Sequence, residues 1–281
     1  MIRRLLLMGL AMVLPAAVSA GDVASPSLLD VGYNHMYNLE FDQAHEAFRA
    51  WRRTYPDDPL GPTSEAAAYL FAEFDRLRIL QSELFLDDEG FMGRRRLTPD
   101  PNVKARFEGE LIQAEELANR RLAQMPSDSD ALLAKAFDAG LKASYTAMIE
   151  RKYLTSLGYI KRSRQLAETL LAHDPSRYDV YLAVGVENYL LSLNPAPIRW
   201  LLRLYGAETS KEAGIEKLRL TAEHGRYLRP YARVLLAVAA LREQRHAQAA
   251  ELLEGLVHEF PHNHLYAKEL ERVDLIRGAS E

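Results

Sequence analysis

Three stretches of this chain hold side chains of the types that do chemistry. In His258-Glu259-Phe260-Pro261-His262-Asn263-His264, three imidazoles fall within seven residues, and imidazole is a common ligand for zinc. Pro261 sits between them at a helix end, which spreads them across a turn instead of aligning them on one helical face. The letters His258-Glu259-Phe260-Pro261-His262 spell the metalloprotease HExxH pattern, but that pattern needs both histidines on one helical face, and Pro261 denies it. Ordinary polar residues of a turn are the better reading. Glu187-Asn188-Tyr189 interrupts an otherwise apolar run from Val180 to Leu193. A carboxylate in such surroundings can serve as an acid or base once burial shifts its pKa. A structural hydrogen bond ranks ahead of that role, and so does a contact to a ligand. Arg94-Arg95-Arg96 follows Gly90-Phe91-Met92-Gly93 and has the character of a basic segment able to close over an acidic partner. A solvated loop is the more ordinary use of such a charge run.

No phosphate-cradling glycine loop, dinucleotide fingerprint or nucleophile elbow occurs, so no cofactor is implied. With no cysteine there is no thiolate metal site, no disulfide and no lipid-anchor cysteine. Hydrophobic residues at 48% and charged residues at 26% are the balance of an ordinary globular protein. A formal net charge of −4 offers no basic excess to neutralise phosphates, which excludes nucleic acid as the expected partner. The first residues are more telling. Arg3 and Arg4 precede an apolar run from Leu5 to Leu14, then Ala17-Val18-Ser19-Ala20. That order predicts a secretory signal peptide over residues 1–20, cleaved after Ala20. The run is too short to span a membrane, which takes about 20 apolar residues, and no later stretch approaches that length. The expected location is the periplasm, with a released or envelope-surface form as the alternative.

The elements that must position these residues are helices. Phe107, Leu111, Ala114, Ala118 and Leu122 recur every three or four residues, as do Leu253, Leu256, Val257 and Phe260. No alternating strand pattern of useful length is present. Helices are expected near 27–38, 41–54, 64–86, 103–125, 129–149, 153–173, 178–193, 197–205, 210–224, 229–243, 246–259 and 263–277. Thr209-Ser210-Lys211-Glu212 has capping-box spacing, with Thr209 as the expected cap.

Small residues and prolines repeat at fixed offsets. Gly32 to Ala44 and Ala44 to Pro56 are both twelve residues, with Phe48 four after Ala44; Ala237, Ala249, Leu253 and Pro261 reproduce the offsets. Ala114, Ala118 and Pro126, and Ser163, Ala167 and Pro175, fit a second helix and its stop. Gly185 and Gly214 fit a further pair once an insertion of 17 residues around Asn194-Pro195-Ala196-Pro197 is allowed. A second excess falls at Leu86 to Pro101. The pattern resembles the tetratricopeptide family over most of residues 21–281, as a degenerate array with enlarged units. The helix A tryptophan of that family has no counterpart in the first or last unit.

The resemblance implies an all-α solenoid of antiparallel helix pairs, about five units with two insertions, in one domain. It also implies a concave groove that holds a protein or peptide partner. The insertion Pro197 to Tyr205 is expected as a short apolar helix that packs into the array or presents Trp200. On this reading Glu187, Asn188 and Tyr189 lie on the groove floor, and Tyr181, Arg95 and Trp200 contribute around it. The remaining tyrosines of the first helices, Tyr33, Tyr37, Tyr69 and Tyr145, stay undivided between core and groove. The expected function is that of an exported binding or assembly scaffold. The alternative is a cell-envelope hydrolase using Glu187.

Overall fold

A computed structural model of the chain describes residues 25–79, 97–192 and 210–278. The expected signal peptide, Arg95 with its neighbours, and the Trp200 insertion lie outside the described residues. Among those described there is no strand. The described residues form eleven α-helices: α1 Leu28–Tyr37, α2 Phe41–Thr54, α3 Leu60–Arg76, α4 Pro101–Gln124, α5 Ser129–Met148, α6 Tyr153–His173, α7 Tyr181–Ser192, α8 Lys211–His224, α9 Arg229–Arg242, α10 His246–Glu259 and α11 His264–Gly278. A 3₁₀ turn, Tyr178–Val180, leads into α7. None of these helices is long and apolar enough to cross a membrane.

Helices adjacent in the chain pack as neighbours: α1 on α2, α3 on α4, α5 on α6, α7 on α8 and α9 on α10, with α11 against α10. Between pairs, α1 meets α3 and α3 meets α5. The small residues mark the closest approaches. A Cβ added at Gly185 would lie 2.9 Å from the Gly214 carbonyl oxygen, and one at Gly214 would lie 2.8 Å from the Tyr189 nitrogen. Thus α7 and α8 touch backbone to backbone across the insertion. A Cβ at Gly32 would lie 2.2 Å from Phe48 Cε1, closer than any real contact. Ala44, Ala114, Ala118, Ala167, Ala237 and Ala249 are all buried.

Helix ends follow two local rules. Three of the four proline stops, Pro56, Pro126 and Pro261, are followed two residues later by a side chain that opens the next helix. Asp58 accepts from Leu60 N at 3.0 Å, Asp128 from Ala131 N at 2.9 Å and Asn263 from Leu265 N at 3.0 Å. At the other end, α1, α3 and α9 close with a backbone bond spanning five residues, as in Glu40 N to the His35 carbonyl. The residue that turns there has positive φ but is not glycine: Leu39, Arg78 and Gln244. The Asp58 cap and the Arg78 turn correct the expected third helix from 64–86 to Leu60–Arg76. The capping-box assignment also shifts: Ser210 caps α8, its hydroxyl accepting from Ala213 N at 3.2 Å. Thr209 lies outside the described residues.

The two ends of the chain meet. Tyr37 Oη donates to the Tyr227 carbonyl at 3.0 Å, Asn263 Nδ2 donates to the Tyr37 carbonyl at 2.7 Å, and His262 N donates to Asn38 Oδ1 at 3.1 Å. Glu40 stands between two imidazoles, 2.6 Å from His35 Nδ1 and 2.5 Å from His262 Nδ1. Arg226 forks onto Asp30 at 2.7 and 2.8 Å. Behind this polar seam, rings pack across it: Tyr33 on Tyr227 at 4.9 Å, Tyr37 on Phe260 at 5.5 Å and Phe71 on Tyr231 at 5.8 Å between centroids. Burying a large apolar side chain contributes about 1.5–3 kcal/mol, so the seam is a substantial part of the core. Tyr33 and Tyr37, which sequence left between core and groove, are core, packed by residues from the far end of the chain.

Candidate functional site

The residues nominated by sequence separate into different environments. Asn188 has 0% exposure, which corrects its expected place on a groove floor. The Gly185–Gly214 contact draws this turn of α7 into the face of α8, and position 188 goes with it. Tyr189 is half-buried in the same contact, packed against the cluster of Ile215 and Leu218. Glu187 faces the other way, towards α6, where its Oε1 is 3.4 Å from Arg164 Nη1. Burial raises the Glu187 carboxyl above the usual range, with Arg164 opposing. The same guanidinium holds Glu168 at 2.8 Å. Tyr181 is partly exposed; Lys217 Nζ lies 5.2 Å from its ring centre and its hydroxyl is 3.4 Å from the Pro175 carbonyl. The structure therefore unites Glu187 with α6 and does not assemble Glu187, Asn188 and Tyr189 on one surface. His262 of the histidine stretch bonds to Glu40, 222 residues away, at 2.5 Å.

A different site stands out between the first two helix pairs. The polar residues at the start of α3 reach in three directions. Thr63 donates to Asp138 of α5 at 2.9 Å, Ser64 to Tyr33 of α1 at 3.2 Å, and Glu65 turns to α2. Glu65 is 1% exposed, and an unpaired carboxylate at that depth would be strongly destabilising. It is paired twice: His45 Nδ1 lies 2.6 Å from one oxygen and Arg49 Nε 3.3 Å from the other. Burial is the largest influence on the Arg49 pKa and lowers it, but Glu65, the Tyr69 hydroxyl and Glu110 together outweigh it and the value is raised. Arg49 Nη2 also reaches the Tyr69 hydroxyl at 3.4 Å, and the His45 and Tyr69 rings pack at 4.2 Å.

Above this network lies a cleft of about 700 Å³. Phe41, Tyr69, Ala72 and Val103 supply its apolar surface. Along α2 its wall carries Asp42, Glu46, Arg49 and Arg53, three or four residues apart and therefore on one face. Arg106 of α4 completes it, its guanidinium carbon 6.0 Å from the Tyr69 ring centre. Among the described residues neither Arg53 nor Arg106 has a carboxylate within ion-pair distance, whereas Arg52, one residue away, is held by Glu110 at 3.0 Å. The cleft can bind an anion and cover apolar groups. Sequence reading missed it because its parts come from three helices and form no motif. The four-residue spacing of Arg49 and Arg53 was the available signal. No protein-family model matches the chain, and no curated protein matches it significantly.

Proposed function

We propose that the protein is an exported, tetratricopeptide-like binding scaffold that holds a segment of a partner protein in the cleft between α2, α3 and α4. The observation that carries this is the pair of guanidinium groups, Arg53 and Arg106, that lack a carboxylate partner among the described residues and stand over an apolar floor. Exposed arginines beside aromatic surface are typical of protein contacts. The buried Glu65 supports the reading, because it fixes Arg49 and His45 before any ligand arrives and so lowers the ordering cost of binding. The expected leader over residues 1–20 supports export to the periplasm. The small-residue spacings and paired helices support the family resemblance.

One feature favours the hydrolase alternative: Glu187 has a raised pKa, and its Oε2 is buried without a hydrogen bond. Against it, Arg164 binds both Glu187 and Glu168, so the two carboxylates are tied to one cation instead of flanking a substrate. A photoreactive residue placed in turn at Glu46, Tyr181 and Glu254 in the native cell distinguishes the readings. A discrete partner adduct from position 46, absent from position 254 on α10, is the expected result. Adducts from 181 alone would move the site to α7, and none from 46 would refute the proposal.

A further inference from the structure

The geometry points to the chemistry of the occupant: an extended peptide segment whose acidic end lies against Arg49, Arg53 and Arg106. This rests on the proposed binding role of the cleft. Asp42 and Arg53 are eleven residues apart on α2, so the charged wall runs for about 16 Å along the helix axis. A single small anion cannot span that length, whereas about five residues of extended chain can. The wall is polar end to end. Asp42 and Glu46 occupy its first part and repel carboxylates; Arg49 and Arg53 occupy the last, with Arg106 facing from α4. Register is thereby set by charge, since an acidic group placed over Asp42 loses what it gains over Arg53.

The cations differ in how they are held. Arg49 is anchored from below by Glu65 and Tyr69. Arg53 and Arg106 are exposed and, among the described residues, lack carboxylate partners, so their charge is available. A guanidinium fork matches a carboxylate in two parallel hydrogen bonds, which favours aspartate or glutamate side chains over a diffuse negative field. Ala72 and Val103 add apolar surface to the same cleft, and Phe41, at the Asp42 end, offers contact to an apolar residue further along the segment.

The test uses the purified protein and a fluorescently labelled peptide, capped at both ends, containing two aspartates followed by leucine and phenylalanine. Its asparagine counterpart serves as the comparison, and binding is read by anisotropy. The acidic peptide is expected to bind about tenfold more tightly than the neutral one, with the difference shrinking as salt is added. Arg53→Glu with Arg106→Glu should abolish the preference, while Arg219→Glu on α8 should leave it unchanged. Because Arg53 and Arg106 are exposed, the double variant is expected to stay folded, and unchanged helicity by circular dichroism checks this. Equal binding of the two peptides, no saturable binding of either, or complete displacement by acetate at matching concentration would overturn the inference. A specific adduct from position 46 together with equal peptide binding would leave the scaffold reading standing and remove only this one.

Discussion

Asp138 gives the sharpest test of how the first three helix pairs are joined. It lies on α5, 4% exposed, and takes one hydrogen bond, from the Thr63 hydroxyl of α3 at 2.9 Å. Its other oxygen is buried without a hydrogen bond. Burial is the largest influence and pushes the carboxyl up from 3.8 to about 7; the Thr63 bond opposes it. Lys142 and Lys135 on the same helix also oppose it, and Glu115 from α4 adds to it. The folded state therefore holds this proton more tightly than the unfolded chain does. Stability from this group is greatest below the unfolded value and falls as pH rises towards about 7. Between about pH 5 and pH 8 the two values imply a loss of about 2–3 kcal/mol. Asp138→Asn removes the titration while keeping an acceptor for Thr63. Urea unfolding followed by circular dichroism across that range should show wild type losing stability relative to the variant by about this amount. Parallel curves for the two proteins would show that the Asp138 carboxyl is not held protonated, and the account of the α3–α5 contact would fail.

Two further outcomes follow from backbone geometry. Gly185→Ala forces a Cβ to 2.9 Å from a carbonyl oxygen of α8 and should cost about 1–3 kcal/mol, whereas Gly109→Ala, with nothing within 4 Å, should stabilise by about 0.5–1 kcal/mol; thermal midpoints of both variants check this. Gln244 turns the end of α9 with φ of 57°, so Gln244→Gly should raise the midpoint by relieving about 1 kcal/mol of strain, and a fall would refute that reading of the turn.

Local structure was largely legible in the sequence because its causes are local. The three-and-four spacing of Phe107, Leu111 and Ala114 is a property of one helix, and proline stops a helix wherever it stands. Most helix bounds were accordingly correct within a few residues. Where they failed, the deciding feature was a side-chain cap or a positive-φ turn. Asp58 opens α3 four residues early, and Arg78 closes it although arginine is not a residue that announces a left-handed turn. Even the α7–α8 contact was legible, since Gly185 and Gly214 have no side chain and only close backbone approach explains such a pair.

What the sequence determined by itself was the helical class, the pairing of adjacent helices and the small residues at their contacts. Each depends on neighbours within a few turns or on the absence of a side chain. Only the tertiary structure decided which surfaces remain open. Tyr33 and Tyr227 are 194 positions apart, and whether they meet depends on how every helix pair between them packs. Once they meet, a tyrosine that sequence could assign to groove or core becomes core. The close approach of α7 and α8 buries Asn188, and the packing of α2, α3 and α4 leaves Arg53 and Arg106 facing solvent beside an apolar cleft. Periodicity identifies the apolar face of a helix, but the partner of that face is set by packing the whole chain.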